Sequence, residues 1–189
     1  AKSLEIQLNN LGTKINYGCE LKRINKNNNV ITKLVFNNKN IQVDPDDVII
    51  STVPITNLAK LLKIKHNLWN RNLKIGCFVT KKMILHKKYS FLYFDDPKIF
   101  FHRVSLLDDF AINNSPKGKS ILSCEVSYKH GDKIDKLSKE KILNRCKNDL
   151  ISLNIIPKNE KIFNQHLIDA GPVYPGIETG YEEKLSKIK

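Results

Sequence analysis

The sequence predicts an α+β fold, with a mixed or antiparallel sheet of about five to seven strands and flanking helices. Two observations lead to this prediction. Residues 91–94, 99–105 and 120–128 are β-prone runs separated by an Asp-Asp-Pro turn and a loop with Pro and Gly, which indicates an antiparallel meander. Residues 138–153 carry apolar side chains at helical intervals, Leu143, Cys146 and Leu150 among them, so a long amphipathic helix should cover one face of the sheet.

The front of the chain is predicted to hold a helix followed by a small ribbon. Residues 2–11 space their leucines as a helix does and end at Gly12, which suits the left-handed position after a helix. Strands are expected at residues 14–24, 30–36 and 41–43, because asparagine-rich turns separate these runs.

An apolar run then leads into a second helix. Residues 48–53 are mostly β-branched and apolar, which is typical of a strand buried on both faces. Residues 55–62 should form a helix with Thr56 as its N-cap.

The back of the chain is predicted to extend the sheet and add two helices. A strand at residues 73–80 precedes the meander, and Ser138 is the expected N-cap of the long amphipathic helix. Residues 163–168 read as one more strand. A last helix should begin at Glu178 or Thr179 and end at Ile188.

The charge of the chain invites a nucleic-acid-binding interpretation, which its distribution argues against. With 32 Lys+Arg against 19 Asp+Glu, the formal net charge of the 189 residues is +13. The lysines are spread through every segment, and no DNA- or RNA-reading module accompanies them. The charge alone supports only a diffuse, salt-sensitive association with nucleic acid.

The titratable and apolar side chains predict neither a metal site nor a membrane span. No run reaches the ~18 apolar residues of a membrane helix. The five histidines lack metal-ligand spacing, and no Gly-x-Ser-x-Gly elbow indicates a hydrolase. The four cysteines are isolated in apolar stretches, which predicts reduced thiols in a cytoplasmic protein; they are Cys19, Cys77, Cys124 and Cys146.

One arginine, Arg103, lies between the aromatic strands of the meander. Strand alternation places Phe101 and Ser105 on the same face as Arg103, and His102 and Val104 on the other. A guanidinium on a strand can hold a phosphate or a carboxylate through two parallel hydrogen bonds, so Arg103 is a candidate binding residue.

The alternative is that Arg103 has a structural role. An acidic side chain near it, such as Asp108 or Glu125, could take the guanidinium in an ion pair. If Arg103 binds an anionic ligand, we expect it to be accessible on a concave face of the sheet and not paired with Asp108, Asp109 or Glu125.

Several segments resemble those of a known protein family, in the family's order and over nearly the whole chain. The segments are Phe-His-Arg-Val-Ser at 101–105, Ser-Cys-Glu-Val-Ser at 123–127, residues 46–62, Pro172-Val-Tyr174 and Gly180-Tyr181. They are similar to the substrate-side domain of flavin-dependent amine-oxidase-like proteins. Within that superfamily they most resemble the branch of protoporphyrinogen oxidases and UDP-galactopyranose mutases.

The resemblance implies that the chain consists of two parts with different roles. Residues 1–62 would be a partial FAD-binding domain, and residues 63–189 would be a substrate-binding domain. The backbone at Leu21 matches the strand that contacts the adenine of FAD, and Thr52 and Pro54 match the crossing out of the FAD domain.

The resemblance also implies a substrate site. In it, Arg103 would hold an anionic group of the substrate, and Phe110 and Tyr174 would lie beside it. A sugar nucleotide is one substrate that has such a group. Mutases of the eukaryotic type have a tyrosine where this chain has Phe110, and an aromatic residue where it has Gly171. Each lost hydroxyl removes a hydrogen bond to a charged group, worth about 1.5 to 3 kcal/mol. UDP-galactopyranose itself is therefore disfavoured, while a related glycan precursor, a carotenoid-like or a porphyrin-like molecule stays open.

The glycine-rich phosphate cradle of such flavoproteins is missing from this sequence. None of the eight glycines forms a Gly-x-Gly-x-x-Gly turn before a helix, the arrangement that holds the pyrophosphate of FAD. We therefore expect an internal fragment of a longer flavoenzyme, inactive alone, with no catalytic side chain of its own and no bound FAD.

Three classes of function remain at this point. The first is the substrate-recognition part of an FAD-dependent oxidoreductase or UDP-galactopyranose-mutase-like enzyme, acting in polysaccharide or sugar-nucleotide metabolism. The second is a stand-alone module that binds an anion or nucleotide without redox chemistry. The third is a diffuse nucleic-acid binder.

Overall fold

The computed structural model describes residues 2–83, 89–111 and 113–186, and this part of the chain has the predicted α+β class. The helices are α1 (Lys2–Asn10), α2 (Ile55–Leu61), α3 (Lys139–Ser152) and α4 (Tyr181–Ser186). The strands are β1 (Leu21–Asn27), β2 (Val30–Phe36), β3 (Asn40–Gln42), β4 (Asn70–Lys81), β5 (Phe91–Tyr93), β6 (Arg103–Leu106), β7 (Lys119–Lys129) and β8 (Asn164–Pro175). Two compact units contain them, residues 2–67 with 182–186 and residues 68–181.

The first unit is built on an antiparallel ribbon in the order β1-β2-β3. Asn28 and Asn29 connect β1 to β2 with φ angles of 48° and 66°, the two left-handed positions that a tight hairpin turn needs. The predicted strand at residues 14–24 is wrong at its start, because Gly18 turns the chain at φ 66°. The Asn37 side chain then bonds the Gly18 carbonyl and the Glu20 N–H, at 3.1 Å each.

The segment before α2 differs from its prediction. Residues 48–53 pair with no strand of either sheet, and the side chains of Val48 and Ile50 are both 86% exposed. Their β-branched composition favours a buried strand, but the described chain supplies no strand on either side of them. Pro54, rather than Thr56, occupies the N-cap of α2, and Thr56 is buried within the first turn.

The second unit is a five-stranded antiparallel sheet in the order β5-β6-β7-β4-β8. The predicted meander is confirmed, since β5, β6 and β7 are consecutive antiparallel neighbours. The long central strand β4 pairs with β7 on one side and with β8 on the other. β8 runs from residue 164 to 175, well beyond the predicted strand at 163–168.

Helix α3 covers one face of this sheet, as its sequence predicts. The Ser138 hydroxyl caps it by accepting a hydrogen bond from the Lys141 N–H at 3.3 Å. Its apolar stripe is buried against the sheet, where Gly76 leaves room for Leu143 and Cys146. The core formed there contains Phe78, Phe101, Val104, Leu106, Leu122, Cys124, Val126, Ile142, Leu143, Cys146, Leu150 and Ile156.

The remaining predictions concern the end of the chain, the thiols and the membrane. α4 is shorter than the predicted helix, and its expected end at Ile188 lies outside the described residues, as does His86. All four cysteines are free. None of the described helices is both long and apolar enough to span a lipid bilayer.

Candidate functional site

The face of the five-stranded sheet opposite α3 carries polar side chains from neighbouring strands, and we call it the polar face. Glu125 on β7 projects to it, because its neighbours Cys124 and Val126 both belong to the core under α3. Arg103 on β6 is the direct cross-strand partner of Glu125. The polar face is defined by Arg71, Tyr93, His102, Arg103, Glu125 and Ser127.

The alternation of side chains between the two faces of the sheet is interrupted just before β6, so His102 and Arg103 lie on the same side. Phe101 and Val104 are both buried in the core, so the two residues between them project away from it. The prediction that Phe101 shares a face with Arg103 is therefore wrong. Strand alternation does not hold there because β6 begins only at Arg103, two residues after Phe101.

Arg103 is held by an acid and a phenol. Its Nε donates to Glu125 Oε1 at 2.9 Å, its Nη2 donates to the same oxygen, and its Nη1 donates to the Tyr93 hydroxyl at 3.1 Å. The Arg103 side chain is 28% exposed and the Glu125 side chain 8% exposed. The hydrogen bond that Arg103 donates to Glu125 chiefly raises the pKa of Arg103; burial opposes it, and the bond donated to Tyr93 adds to it.

The expectation that Arg103 is unpaired is thus wrong, and the ion-pair alternative with Glu125 is the observed arrangement. Both bonds of that pair end on one carboxylate oxygen. A guanidinium has five N–H groups, of which Glu125 and Tyr93 take three, so two remain for a ligand.

His102 lies against the same carboxylate. Its Nε2 is 3.8 Å from Glu125 Oε2, and its ring stacks on Tyr93 with 6.5 Å between the ring centres. Burial lowers the pKa of His102; Glu125 counteracts this, and the positive charges of Arg103 and Arg71 add to it. His102 is therefore neutral at pH 7, and its Nδ1 is buried with no hydrogen-bond partner among the described residues.

Asp108, the other acid considered for Arg103, has partners of its own. Its carboxylate accepts hydrogen bonds from Lys82, Ser115 and Ser120, the last two at 3.0 and 2.9 Å. Burial of Asp108 would raise its pKa, but these bonds together lower it. Asp108 therefore anchors the single 3₁₀ turn Leu107–Asp109 after β6.

The other two predicted substrate residues, Phe110 and Tyr174, lie on elements that are not neighbours in the sheet. Phe110 ends the turn after β6 and is exposed. Tyr174 on β8 is also exposed and is the cross-strand partner of Arg71. In the sheet order, β7 and β4 separate the Tyr174 strand from the Arg103 strand.

Arg71 is a polar-face residue that the sequence analysis missed. Its Nη1 donates to the Ser127 hydroxyl at 3.2 Å, and its guanidinium lies 5.8 Å from the centre of the Trp69 ring. The sequence feature that could have identified Arg71 is the alternation of side chains along β4, which places Arg71 on the same face as Leu73. The predicted strand began at residue 73, so Arg71 was left outside it.

The first unit contains a cavity of about 800 Å³ that brings the predicted FAD-contact residues together. Leu21, Thr52 and Pro54 all line it, opposite apolar side chains of the ribbon and α2 such as Phe36 and Leu58. Its walls are mostly apolar, which suits a flat ring such as adenine. None of its described lining residues is a glycine, so the cavity fits the adenine end of FAD and offers no cradle for its pyrophosphate.

No group of three or more histidine, cysteine or acidic side chains that could bind a metal ion occurs within the described part of the chain. The arginines of the polar face offer hydrogen bonding and charge pairing to a ligand.

The chain also matches a known protein family. The chain matches the family of flavin containing amine oxidoreductases over residues 1–167, and it is therefore a member of that family. This confirms the resemblance seen in its sequence motifs. No curated protein is significantly similar to the chain.

Three solved structures have a fold similar to that of this chain. A reduced UDP-galactopyranose mutase matches with a TM-score of 0.80 and 19% identity, over 98% of this chain and 41% of that one. A protein named as a protoporphyrinogen oxidase from Exiguobacterium sp. 255-15 matches with a TM-score of 0.68 and 14% identity, over 99% of this chain and 42% of that one. An oxidoreductase from Methanosarcina mazei matches with a TM-score of 0.64 and 16% identity, over 89% of this chain and 41% of that one. The chain thus spans about two fifths of each of these proteins.

Proposed function

We propose that this chain is the substrate-recognition part of an FAD-dependent oxidoreductase or mutase of the amine oxidoreductase family. The observation that carries the proposal is the polar face, where Arg103 is fixed by Glu125 and Tyr93 and keeps two N–H groups for a ligand. In this proposal residues 63–189 form the substrate-binding domain and residues 1–62 part of the FAD-binding domain.

The proposed substrate is a small molecule with an anionic group that Arg103 binds. Phe110, at the turn after the Arg103 strand, and Tyr174, on a strand separated from the Arg103 strand by two others, would contact other parts of the substrate. The fold of a UDP-galactopyranose mutase supports a role in polysaccharide or sugar-nucleotide metabolism. Phe110 and Gly171 lack the hydroxyl groups that would hold a diphosphate, which favours a related glycan precursor over UDP-galactopyranose itself.

For the cofactor, Leu21, Thr52 and Pro54 would hold the adenine end of FAD in the cavity of the first unit. The flavin, when bound, supplies the electron-transfer or covalent chemistry. The chain's own residues bind and orient the substrate, and no catalytic side chain is assigned among them. Free thiols at all four cysteines support a cytoplasmic location in this proposal.

The proposal is tested by thermal denaturation of the chain with a panel of anions: UDP-glucose, UDP-galactose, a porphyrin carboxylate and galacturonate. We expect at least one of them to raise the Tm, because a ligand that binds only the folded state stabilises it. Arg103→Ala should abolish the rise, whereas Arg23→Ala, a change to an exposed arginine of β1, should preserve it. A Tm increase that survives Arg103→Ala would refute the assigned site.

A further inference from the structure

Glu125 is an unusual neighbour for a residue that is meant to bind anions. Its carboxylate is 8% exposed and lies on the same face as Arg71 and Arg103. It occupies the edge of the Arg103 guanidinium formed by Nε and Nη2, one of the edges that present two parallel N–H groups to a planar two-oxygen anion. Any ligand anion must therefore either displace Glu125 or bind elsewhere on the guanidinium.

Displacement of Glu125 is strongly disfavoured. A buried carboxylate that loses its charged partner keeps its desolvation penalty without compensation. The other group beside it, His102 Nε2, is 3.8 Å from Glu125 Oε2, too far for a direct hydrogen bond that would replace those lost from Arg103. Glu125 consequently stays on Arg103 when a ligand binds.

The ligand then meets an arginine whose charge is already balanced. Arg103 still offers N–H groups on Nη1 and Nη2, but the Arg103–Glu125 pair as a whole is neutral. Strand alternation also places Arg71 and its cross-strand neighbour Lys129 on this face, with Lys81 and Lys119 at the opposite end of the same two strands, and Lys129 lies 4.7 Å from the Trp69 ring centre. The Glu125 carboxylate therefore weakens the attraction of this face for a second negative charge on the ligand, compared with the same face without Glu125.

We propose that Glu125 is a specificity-determining residue, which makes the polar face select a singly charged group, such as a carboxylate or a phosphodiester, over a doubly charged phosphate monoester. This inference rests on the proposed function, since it concerns the ligand of the same site. The inference narrows the proposed substrate to molecules whose anionic group carries a single negative charge.

The test compares two sugars that differ mainly in charge, galacturonate with one negative charge and galactose 1-phosphate with nearly two at pH 7.5. Binding of each is followed by NMR of the ¹⁵N-labelled chain, with the Arg103 Nε–H resonance assigned by its loss in Arg103→Lys. The variant is Glu125→Gln, which keeps the shape and the acceptor oxygen but removes the charge. Glu140→Gln, at an exposed position in the first turn of α3, is the control for net charge.

In the unaltered chain and in Glu140→Gln we expect galacturonate to bind more tightly than galactose 1-phosphate. In Glu125→Gln the ratio of the two Kd values should shift by about tenfold toward galactose 1-phosphate, because a nearby negative charge has been removed. An unchanged ratio would overturn the role of Glu125 while leaving anion binding at the face intact. If neither sugar perturbs the polar face, the proposed function fails as well, and the inference with it.

A second measurement does not depend on the folding of Glu125→Gln. In the unaltered chain, saturation with galacturonate should leave the Arg103 Nε–H resonance near its free position, because Glu125 keeps that edge. A large shift of this resonance would mean that the ligand displaces Glu125, and this result would overturn the inference.

Discussion

At the residue scale, the second unit contains a buried ion pair that lies away from the polar face. Lys74 on β4, with 9% of its side chain exposed, donates to Asp169 Oδ2 on β8 at 2.8 Å. The Tyr128 hydroxyl on β7 donates to Asp169 Oδ1 at 3.0 Å. Burial and then the Asp169 carboxylate raise the pKa of Tyr128 to about 12. Three neighbouring strands are thus joined through one carboxylate.

The Lys74 ammonium chiefly lowers the pKa of Asp169, which gives a stability prediction. A depressed folded-state pKa stabilises the protein above the unfolded value, near pH 3.9, and the stabilisation is lost as pH falls through the folded pKa. Asp169→Asn should lower the free energy of unfolding by about 2 kcal/mol at pH 7, less than for a fully buried pair because Asp169 is half exposed.

Urea unfolding at pH 7 and pH 3 measures this effect. The difference between Asp169→Asn and the unaltered chain should shrink toward zero at pH 3. Asp46→Asn, at an exposed position, should differ little from the unaltered chain at both values. An equal loss at both pH values would show that packing, rather than charge, makes Asp169 important.

A second residue-scale prediction concerns Arg103 in a flavin-loaded enzyme that contains this chain. Arg103→Lys keeps the positive charge. A lysine ammonium lacks the planar guanidinium geometry, so it cannot hydrogen-bond Glu125, Tyr93 and a ligand at the same time. KM for the substrate should rise about tenfold with a smaller change in kcat, the pattern of lost ground-state binding. Steady-state kinetics measure it, and an unchanged KM would exclude substrate contact by Arg103.

At the element scale, the N-cap of α3 should contribute measurably to stability. Ser138→Ala removes the acceptor for the Lys141 N–H, and we expect a loss of about 1 kcal/mol in the free energy of unfolding. Ser152→Ala, an exposed change in the last turn of the same helix, should stay within about 0.5 kcal/mol. Chemical unfolding of both variants checks the difference, and equal losses would contradict a cap effect.

A close contact at the end of β8 gives another prediction. A Cβ atom at Gly176 would lie only 2.1 to 2.6 Å from three atoms of the Trp69 indole, whereas one at Gly76 would meet its neighbours at 3.4 Å or more. Gly176→Ala should therefore displace the indole, cost about 2 kcal/mol and change the fluorescence of Trp69. Gly76→Ala should cost less and leave the fluorescence spectrum unchanged; the reverse order would contradict the packing described here.

Elements whose signal is local could be predicted from the sequence. The cap, stripe and end of α3 depend on residues within one helix, and the meander depends on turns within a few residues. The face of Phe101 depends on where β6 starts pairing, which is set by β7 and not by its own composition. For the same reason residues 48–53 were misread, since a strand requires neighbours as well as β-branched residues.

The candidate site was predictable only in part. Arg103 stood out by its position between aromatic strands, and Glu125 was already one of its two possible partners. The choice between Glu125 and Asp108 depended on strand register and on the separate partners of Asp108, which no local pattern encodes. Arg71 was missed because its strand starts three residues earlier than its apolar run.

At the scale of the whole molecule, the family and the cavity of the first unit raise the question of flavin retention. We predict that the chain, purified by itself, is colourless and has no turnover. The sequence has no Gly-x-Gly-x-x-Gly turn, and the cavity of the first unit has no glycine among its described lining residues. Backbone hydrogen bonds near Leu21 would net about 1 kcal/mol each, too little to offset the cost of association.

Absorbance in the flavin bands, followed by FAD quantification after acid release, measures this outcome. Stoichiometric FAD in the purified chain would reveal a phosphate site built from residues other than a glycine-rich turn. A longer natural chain that includes residues 1–189 and binds FAD would place the phosphate cradle in the added segment. Binding of a panel anion by the colourless chain would then assign substrate recognition to the polar face, because that face requires neither flavin nor cradle to hold Arg103 in place.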